Sequence, residues 1–259
     1  MSIFRKTLRT ALSILSRWAL NKHQIELIVI NGWYGTEVAR ELLYTILSPT
    51  LLVRRNIKEI WWDFSIPLAV LGYKDKKRNP FAWVWLLLKA ALYLLFGKKN
   101  PHILILSADC TYDATARYWG SFIKPEYLLI LNYTKKAALT EELIKSTKFN
   151  KGTIIYDPDQ TNVKIQRVLQ NTPTFTFSQY APAKVQIIDQ KNLFTIKYQK
   201  REISLPKEYF PAVSADLIAG VYSLALLMKM DLYEIGYNSL KFSLPDLVIS
   251  KIKQNLAYN

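Results

Sequence analysis

Apolar residues recur along this chain at two different periods, and the place where the period changes divides it. Residues 25–30 (IELIVI), 102–108 (HILILSA), 127–132 (YLLILN) and 152–156 (GTIIY) are near-continuous apolar runs. Runs of this length with little polar alternation predict strands buried on both faces, as in a parallel sheet. Val38, Leu42 and Ile46 recur at helical spacing over 36–47, and Thr140 to Lys148 predicts a further helix. Strands alternating with helices predict an α/β fold, a mostly parallel sheet flanked by helices. Beyond residue 170 the runs TFTFS, KVQIID, LFTIKY and REISL are short and separated by turn residues. They predict a small antiparallel β subdomain near the C-terminus, at about 172–206, followed by closing helices at about 212–245.

Two further segments are hydrophobic in a different way. In residues 1–24, Ile3, Phe4, Leu8, Ala11, Leu12, Leu15 and Trp18 share one helical face, with Arg5, Lys6, Arg9 and Arg17 largely off it. This is a basic amphipathic helix that either lies on an anionic membrane or packs onto the domain spanning 25–259. Arg9, Ser13, Ser16 and Arg17 interrupt it too often for a signal peptide. Residues 81–96, FAWVWLLLKAALYLLF, carry one charge, Lys89, and basic residues on both flanks. They fall short of the about 20 apolar residues of a bilayer span. A mostly buried helix is expected, with membrane or partner contact through Trp83, Trp85 and Tyr93 as the second reading.

Composition narrows the chemistry. With 35 Lys+Arg against 20 Asp+Glu over 259 residues, the formal net charge is +15, which favours nucleic acid, anionic lipid or polyphosphate ligands. Charge is the only argument for nucleic acid, since no zinc-ligand spacing or recognition signature accompanies it, and nucleic acid is not an expected partner. The single cysteine, Cys110, excludes an internal disulfide and suits a reducing cytoplasm. His23 and His102 are the only histidines and each precedes an apolar run, which argues against a His-based metal site or a Ser-His-Asp triad.

The segment with the most chemical content follows the first strand: Asn31, Gly32, Trp33, Tyr34, Gly35, Thr36, Glu37. A strand, a glycine-bearing turn and a helix N-terminus make the arrangement that cradles phosphate, because glycine lets backbone N–H groups approach the anion. Such a turn also needs a cation for the outer phosphates. Here Thr36 and Glu37 follow the second glycine, and Glu37 repels phosphate unless a metal intervenes. The competing reading is turn chemistry alone.

The order of these segments, from about residue 10 to 245, resembles the ATP-binding central domain of the Mur ligase family, cytoplasmic enzymes that join amino acids or peptides to the UDP-sugar precursor of peptidoglycan. The turn at 31–37 stands in register with the family's T-G-(S/T)-x-G-K-(T/S), and Arg40-Glu41-Leu42-Leu43 is similar to its Lys-Glu-Leu-Leu helix. Pro67, Leu68 and Leu71 are retained from an N-N-x-x-G-x-P-L-x-x-L segment whose asparagines are replaced here by aromatics. Pro125 and Asn132 are kept from another segment, GTIIYDPDQ resembles the strand that ends in Asn-x-Asp-Asp, and residues 214–246 resemble the closing helix pair. The resemblance implies a P-loop NTPase-like core.

It also implies a damaged site. Acyl-phosphate formation from ATP needs charge neutralisation on the transferred group, bound Mg²⁺ and a held carboxylate. In register with the family, Thr36 replaces the loop lysine and Glu37 its hydroxyl. Ser107 falls where a metal-binding glutamate stands, with Asp109 two residues on as candidate compensation. Ala137 or Ala138 takes the histidine position. Lys145 or Lys148 matches a carbamoylated lysine, although an exposed helical lysine is the plainer reading. Tyr156 replaces an asparagine near the adenine, with Asp157, Asp159 and Asn132 as candidate remnants. The family's flanking UDP-sugar and amino-acid-binding domains have no counterpart in these residues.

Three functions follow as expectations. The first is a domain without catalysis or cofactor, a structural or regulatory partner of a true Mur ligase or other cell-wall protein. The second is an ATP- and Mg-dependent acid–amino acid ligase with unconventional site residues. The third is a basic protein peripheral to an anionic membrane, at its cytoplasmic face. Trp33, Tyr34, Trp61 and Trp62 are expected to fill the former cleft or to belong to the core.

Overall fold

The computed structural model describes residues 3–57, 62–74, 79–97, 103–108, 113–132, 138–161, 163–169, 172–211 and 213–245. Its strands are β1 (Glu26–Asn31), β2 (Val53–Arg55), β3 (Ile103–Ala108), β4 (Tyr127–Ile130), β5 (Thr153–Tyr156), β6 (Thr174–Ser178), β7 (Val185–Asp189), β8 (Leu193–Tyr198) and β9 (Arg201–Pro206). Its helices are α1 (Ile3–His23), α2 (Thr36–Leu47), α3 (Trp62–Val70), α4 (Pro80–Phe96), α5 (Asp113–Gly120), α6 (Ala138–Phe149), α7 (Val163–Leu169), α8 (Ala215–Leu227) and α9 (Leu232–Ser239).

The strands form one sheet in the order β2-β3-β1-β4-β5-β6-β7-β8-β9. Pairing is parallel from β2 through β7 and antiparallel from β7 to β9. The expected parallel core is present, and so are the antiparallel strands at its C-terminal end. One run differs from expectation. TFTFS, read as part of the antiparallel group, is β6, whose first half pairs parallel with β5 and whose second half pairs parallel with β7. Its side chains Phe175 and Phe177 are buried with the main core, so it continues the large sheet.

The apolar runs are explained by what covers each face. Ile28, Ile30, Ile105 and Leu129 point toward α2, α8 and α9, while Leu27, Val29, Leu104 and Leu128 point toward α1, α3, α5 and α6. Alternate residues enter opposite cores, so no position in these strands can be polar without cost. α8, with Leu217 through Ala225 all buried, fills the space between the sheet and α2.

The N-terminal helix takes the second of its two expected positions. Leu8, Leu12, Leu15 and Ala19 of α1 are buried against the domain. The carboxylate of Asp63 in α3 anchors it, receiving Arg5, Arg9 (2.7 Å) and the Thr115 hydroxyl (2.6 Å). Burial works against the ionised form, but the hydrogen bonds from Thr115, Arg9 and Arg5 outweigh it and hold the Asp63 carboxyl below its usual range.

α4 corrects the sequence reading. Asn79 caps it through Ala82 N–H (2.8 Å) and Pro80 starts it, as helix chemistry requires. It lies outside α1 as a third layer, burying only the stripe Trp83, Leu86, Ala90 and Leu94. Trp85 is 61% exposed and Phe81 86%, so the helix is not mostly buried. Hydrophobicity all round a helix predicts burial all round, but α1 offers a surface only one stripe wide. Among the described residues no helix is long and apolar enough to cross a membrane.

Candidate functional site

β1 is flanked by β3 and β4, and the chain leaves it in one direction to β2 and later returns on the other side to β4. That reversal opens a crevice at the carboxyl ends of the strands, where ligands of open α/β sheets bind. Register aligns those ends: Asn31 pairs with Ala108 and Ile130, and Ile130 with Tyr156. The candidate residues on different strands therefore share one edge.

The turn after β1 leads directly into the N-terminus of α2, and two of its N–H groups are already engaged. Gly35 has φ +76°, a left-handed conformation that glycine adopts without strain, and it starts α2 with no side-chain cap. The Asn132 side-chain oxygen accepts the N–H groups of Trp33 and Tyr34 (3.3 Å for the second), and its amide donates to the Tyr34 carbonyl (3.1 Å). A Cβ on Gly32 would lie 3.0 Å from that same oxygen, so glycine is what admits the asparagine. Trp33 and Tyr34 are 57% and 62% exposed, so they neither plug the crevice nor join the core. Trp61 lies outside the described residues, as does the side chain of Trp62. Thr36 is buried, and Glu37 stands in the first turn of α2.

Asn31 is buried at the end of β1. It donates to the Ala108 carbonyl (2.6 Å) and accepts from the Thr140 hydroxyl of α6, which ties the ends of β1 and β3 to that helix.

Beside the turn stands a buried charged cluster. Arg40, one helical turn beyond Thr36, is 2% exposed. Its Nη1 donates to Ser107 Oγ (2.9 Å), and its Nε and Nη2 donate to Glu41 Oε1 (2.9 and 2.7 Å). Arg55 reaches the other Glu41 oxygen at 2.8 Å and lies over the Tyr44 ring at 3.6 Å. Ser107 is fixed in turn by Asn56, which accepts its N–H (2.8 Å) and donates to its carbonyl (3.2 Å). Ser107, the candidate metal position, thus faces a guanidinium. Asp109 and Ala137 lie outside the described residues.

A second polar cluster stands further along the edge. Asp157, buried after β5, accepts from Asp159 N–H (2.8 Å). Asp159 accepts from Ser178 Oγ and Ala181 N–H, and Asp216 at the start of α8 accepts from Gln160 (2.7 Å). Burial pushes the Asp157 carboxyl up to about 6, with repulsion from Asp159 and Asp216 adding to it and the Asp159 N–H partly opposing it. Burial raises Asp216 as well. Tyr156 is half-buried on the same edge.

The lysines do not join either cluster. Lys145 is exposed and pairs with Glu142 at 3.1 Å. Lys148 is exposed near the end of α6, where Asn150 meets the carbonyls of Lys124 and Pro125 ahead of β4. That is the opposite end of the strands, so Lys148 does not reach the crevice.

In the sequence Arg40 and Glu41 stand out only through the helix they belong to, and Arg55, Asn56, Thr140 and Asp216 do not stand out as site residues. A charged pair inside an otherwise apolar helical face was the one available signal; Asn56 and Thr140 carried none.

No protein-family model and no curated protein matches the sequence. Solved structures do match the fold. MurF from Acinetobacter baumannii superposes with a TM-score of 0.70 at 13% identity, over 92% of this chain and 50% of that one. The fold is that of the Mur ligases. MurF ligase from Thermotoga maritima in complex with ADP gives 0.65 at 14% identity, over 88% of this chain and 52% of its own. FolC from E. coli in complex with DHPP and ADP gives 0.59 at 13% identity, over 91% and 61%. This Mur-ligase-like chain spans about half the length of the two MurF structures.

Proposed function

We propose that this domain keeps the Mur-ligase-like architecture without acyl-phosphate chemistry, and serves as a structural or regulatory partner of a true ligase or another protein of cell-wall precursor metabolism in the cytoplasm. The observation that carries the reading is the guanidinium of Arg40 on Ser107. In register with the family, Ser107 occupies the place of a metal ligand, and a fixed cation there repels Mg²⁺. Two unit charges 4 Å apart repel by about 4 kcal/mol at an effective dielectric of 20, and a divalent ion doubles that, before the Glu41 carboxylate paired with Arg40 offsets part of it.

The turn supports the same reading, because Thr36, which follows its second glycine, offers no charge for the outer phosphates. With a guanidinium on Ser107 and no lysine after the second glycine, the described side chains lack the charge neutralisation that MgATP needs, and no phosphoryl-transfer step is assigned. Charge stabilisation supplies most of the catalysis in such sites, so losing it removes the reaction while leaving the fold intact.

Isothermal titration with MgATP tests this. No heat at millimolar nucleotide is the expected result. Micromolar affinity overturns it and favours an ATP-dependent acid–amino acid ligase.

A further inference from the structure

We infer that the outward face of α4 seats this domain on an anionic membrane surface, with the helix lying in the plane of the interface. Phe81, Trp85, Leu88, Leu92, Leu95 and Phe96 are all exposed, Phe81 and Phe96 by more than four-fifths. At 100° per residue they fall on one side of the helix, opposite the buried stripe Trp83, Leu86, Ala90 and Leu94. The helix thus presents two apolar faces, and the protein covers one. A contiguous apolar surface of this kind marks an interaction site, because water alone leaves it unfavourably exposed.

Charge selects the occupant. Neither α1 nor α4 contains an acidic residue, and the only charge on α4 is the exposed Lys89. The segments that bracket α4 in sequence contribute Lys74, Lys76, Lys77, Arg78, Lys98 and Lys99 against one acid, Asp75. Lys22 of α1 donates to the carbonyls of Leu94 and Leu95, which places another cation at the end of the helix. A second copy of this chain would bring those basic groups against their own kind, whereas anionic headgroups neutralise them at about 1 kcal/mol per residue.

Geometry fixes the orientation. Seventeen residues rise about 25 Å, less than the roughly 30 Å hydrocarbon core, and packing on α1 from Trp83 to Leu94 prevents the helix from standing upright. Aromatic rings on the outward face suit the headgroup level, where amphipathic helices lie.

Co-sedimentation of the full chain with vesicles of equal parts phosphatidylglycerol and phosphatidylcholine, at low salt, tests the proposal. The chain is expected to pellet, and to bind at least about tenfold more weakly when Trp85→Ser, Leu88→Ser, Leu92→Ser and Phe96→Ser are combined. These side chains are exposed, so the variant's thermal melt should match the parent's. Lys89→Glu alone should weaken binding to these vesicles and leave pure phosphatidylcholine unaffected. Three results overturn the proposal: no binding by the parent, equal binding by the serine variant, or a parent dimer without lipid that the serine variant converts to monomer.

Discussion

Two polar clusters stand on the same edge of one sheet, and they are balanced in opposite ways. Around Arg40, two guanidinium groups, one carboxylate, a hydroxyl and an asparagine amide satisfy one another inside the protein. Around Asp157, the charges that bear on the carboxyl are those of Asp159 and Asp216, all negative. The first cluster has consumed its own binding capacity. The second stores a preference for a proton. The crevice therefore changes character along its length, closed near β1 and β3 and titratable near β5.

Removing a member of the closed cluster should have the larger effect. Arg40→Ala leaves Glu41 with a single partner and Ser107 without its donor, in a site with almost no solvent access. Breaking a buried ion pair from one side costs about 3–5 kcal/mol, so urea denaturation should show a loss of that size. A loss below 1 kcal/mol would mean that the cluster is far wetter than its burial indicates, and the contrast would fail.

The acidic cluster should respond with the opposite sign. The folded-state pKa of Asp157, about 6, lies above the ordinary aspartate value near ~4, so folding disfavours the ionised form. That cost is fully present above about pH 6 and is relieved as pH falls toward ~4, below which both states are protonated. Asp157→Asn should therefore stabilise the protein by about 1 kcal/mol at pH 7.5 and flatten this part of the stability profile between pH 6 and 4. Unchanged pH dependence would remove the distinction between the clusters.

The smallest effect should come from the turn. Asn132→Ala exposes the N–H groups of Trp33 and Tyr34 to water, which replaces the lost acceptor, so the expected cost is about 0.5–1 kcal/mol. With Arg40 still on Ser107, this variant should give no heat with MgATP. Heat from it would identify the asparagine, rather than the guanidinium, as what keeps nucleotide out.

The fold was largely legible because parallel strands buried on both faces leave an uninterrupted apolar record. The runs beginning at Ile25 and Tyr127 each became strands, and Val38, Leu42 and Ile46 faced the core as their spacing required. The direction of β6 was not legible, since alternation in TFTFS is the same whether the neighbour runs parallel or antiparallel. α3 was hidden by Pro67 in its middle, and α5 by its shortness. At the site, the threonine after Gly35 and the serine at 107 could be read directly. What Ser107 faces could not, because Arg40 and Ser107 are 67 residues apart and meet only across strand and helix.

The sequence by itself determined the local content of this protein: which runs are strands, and where the chain turns at Gly32 and Gly35. Periodicity, turn chemistry and residue identity are properties of neighbouring positions, so a linear text records them. Only the tertiary structure decided what each group faces. It set a guanidinium against Ser107, an asparagine into the turn, three carboxylates beside one another, and half of an apolar helix toward the outside. Those outcomes depend on distances between segments far apart in the chain, which the sheet order sets.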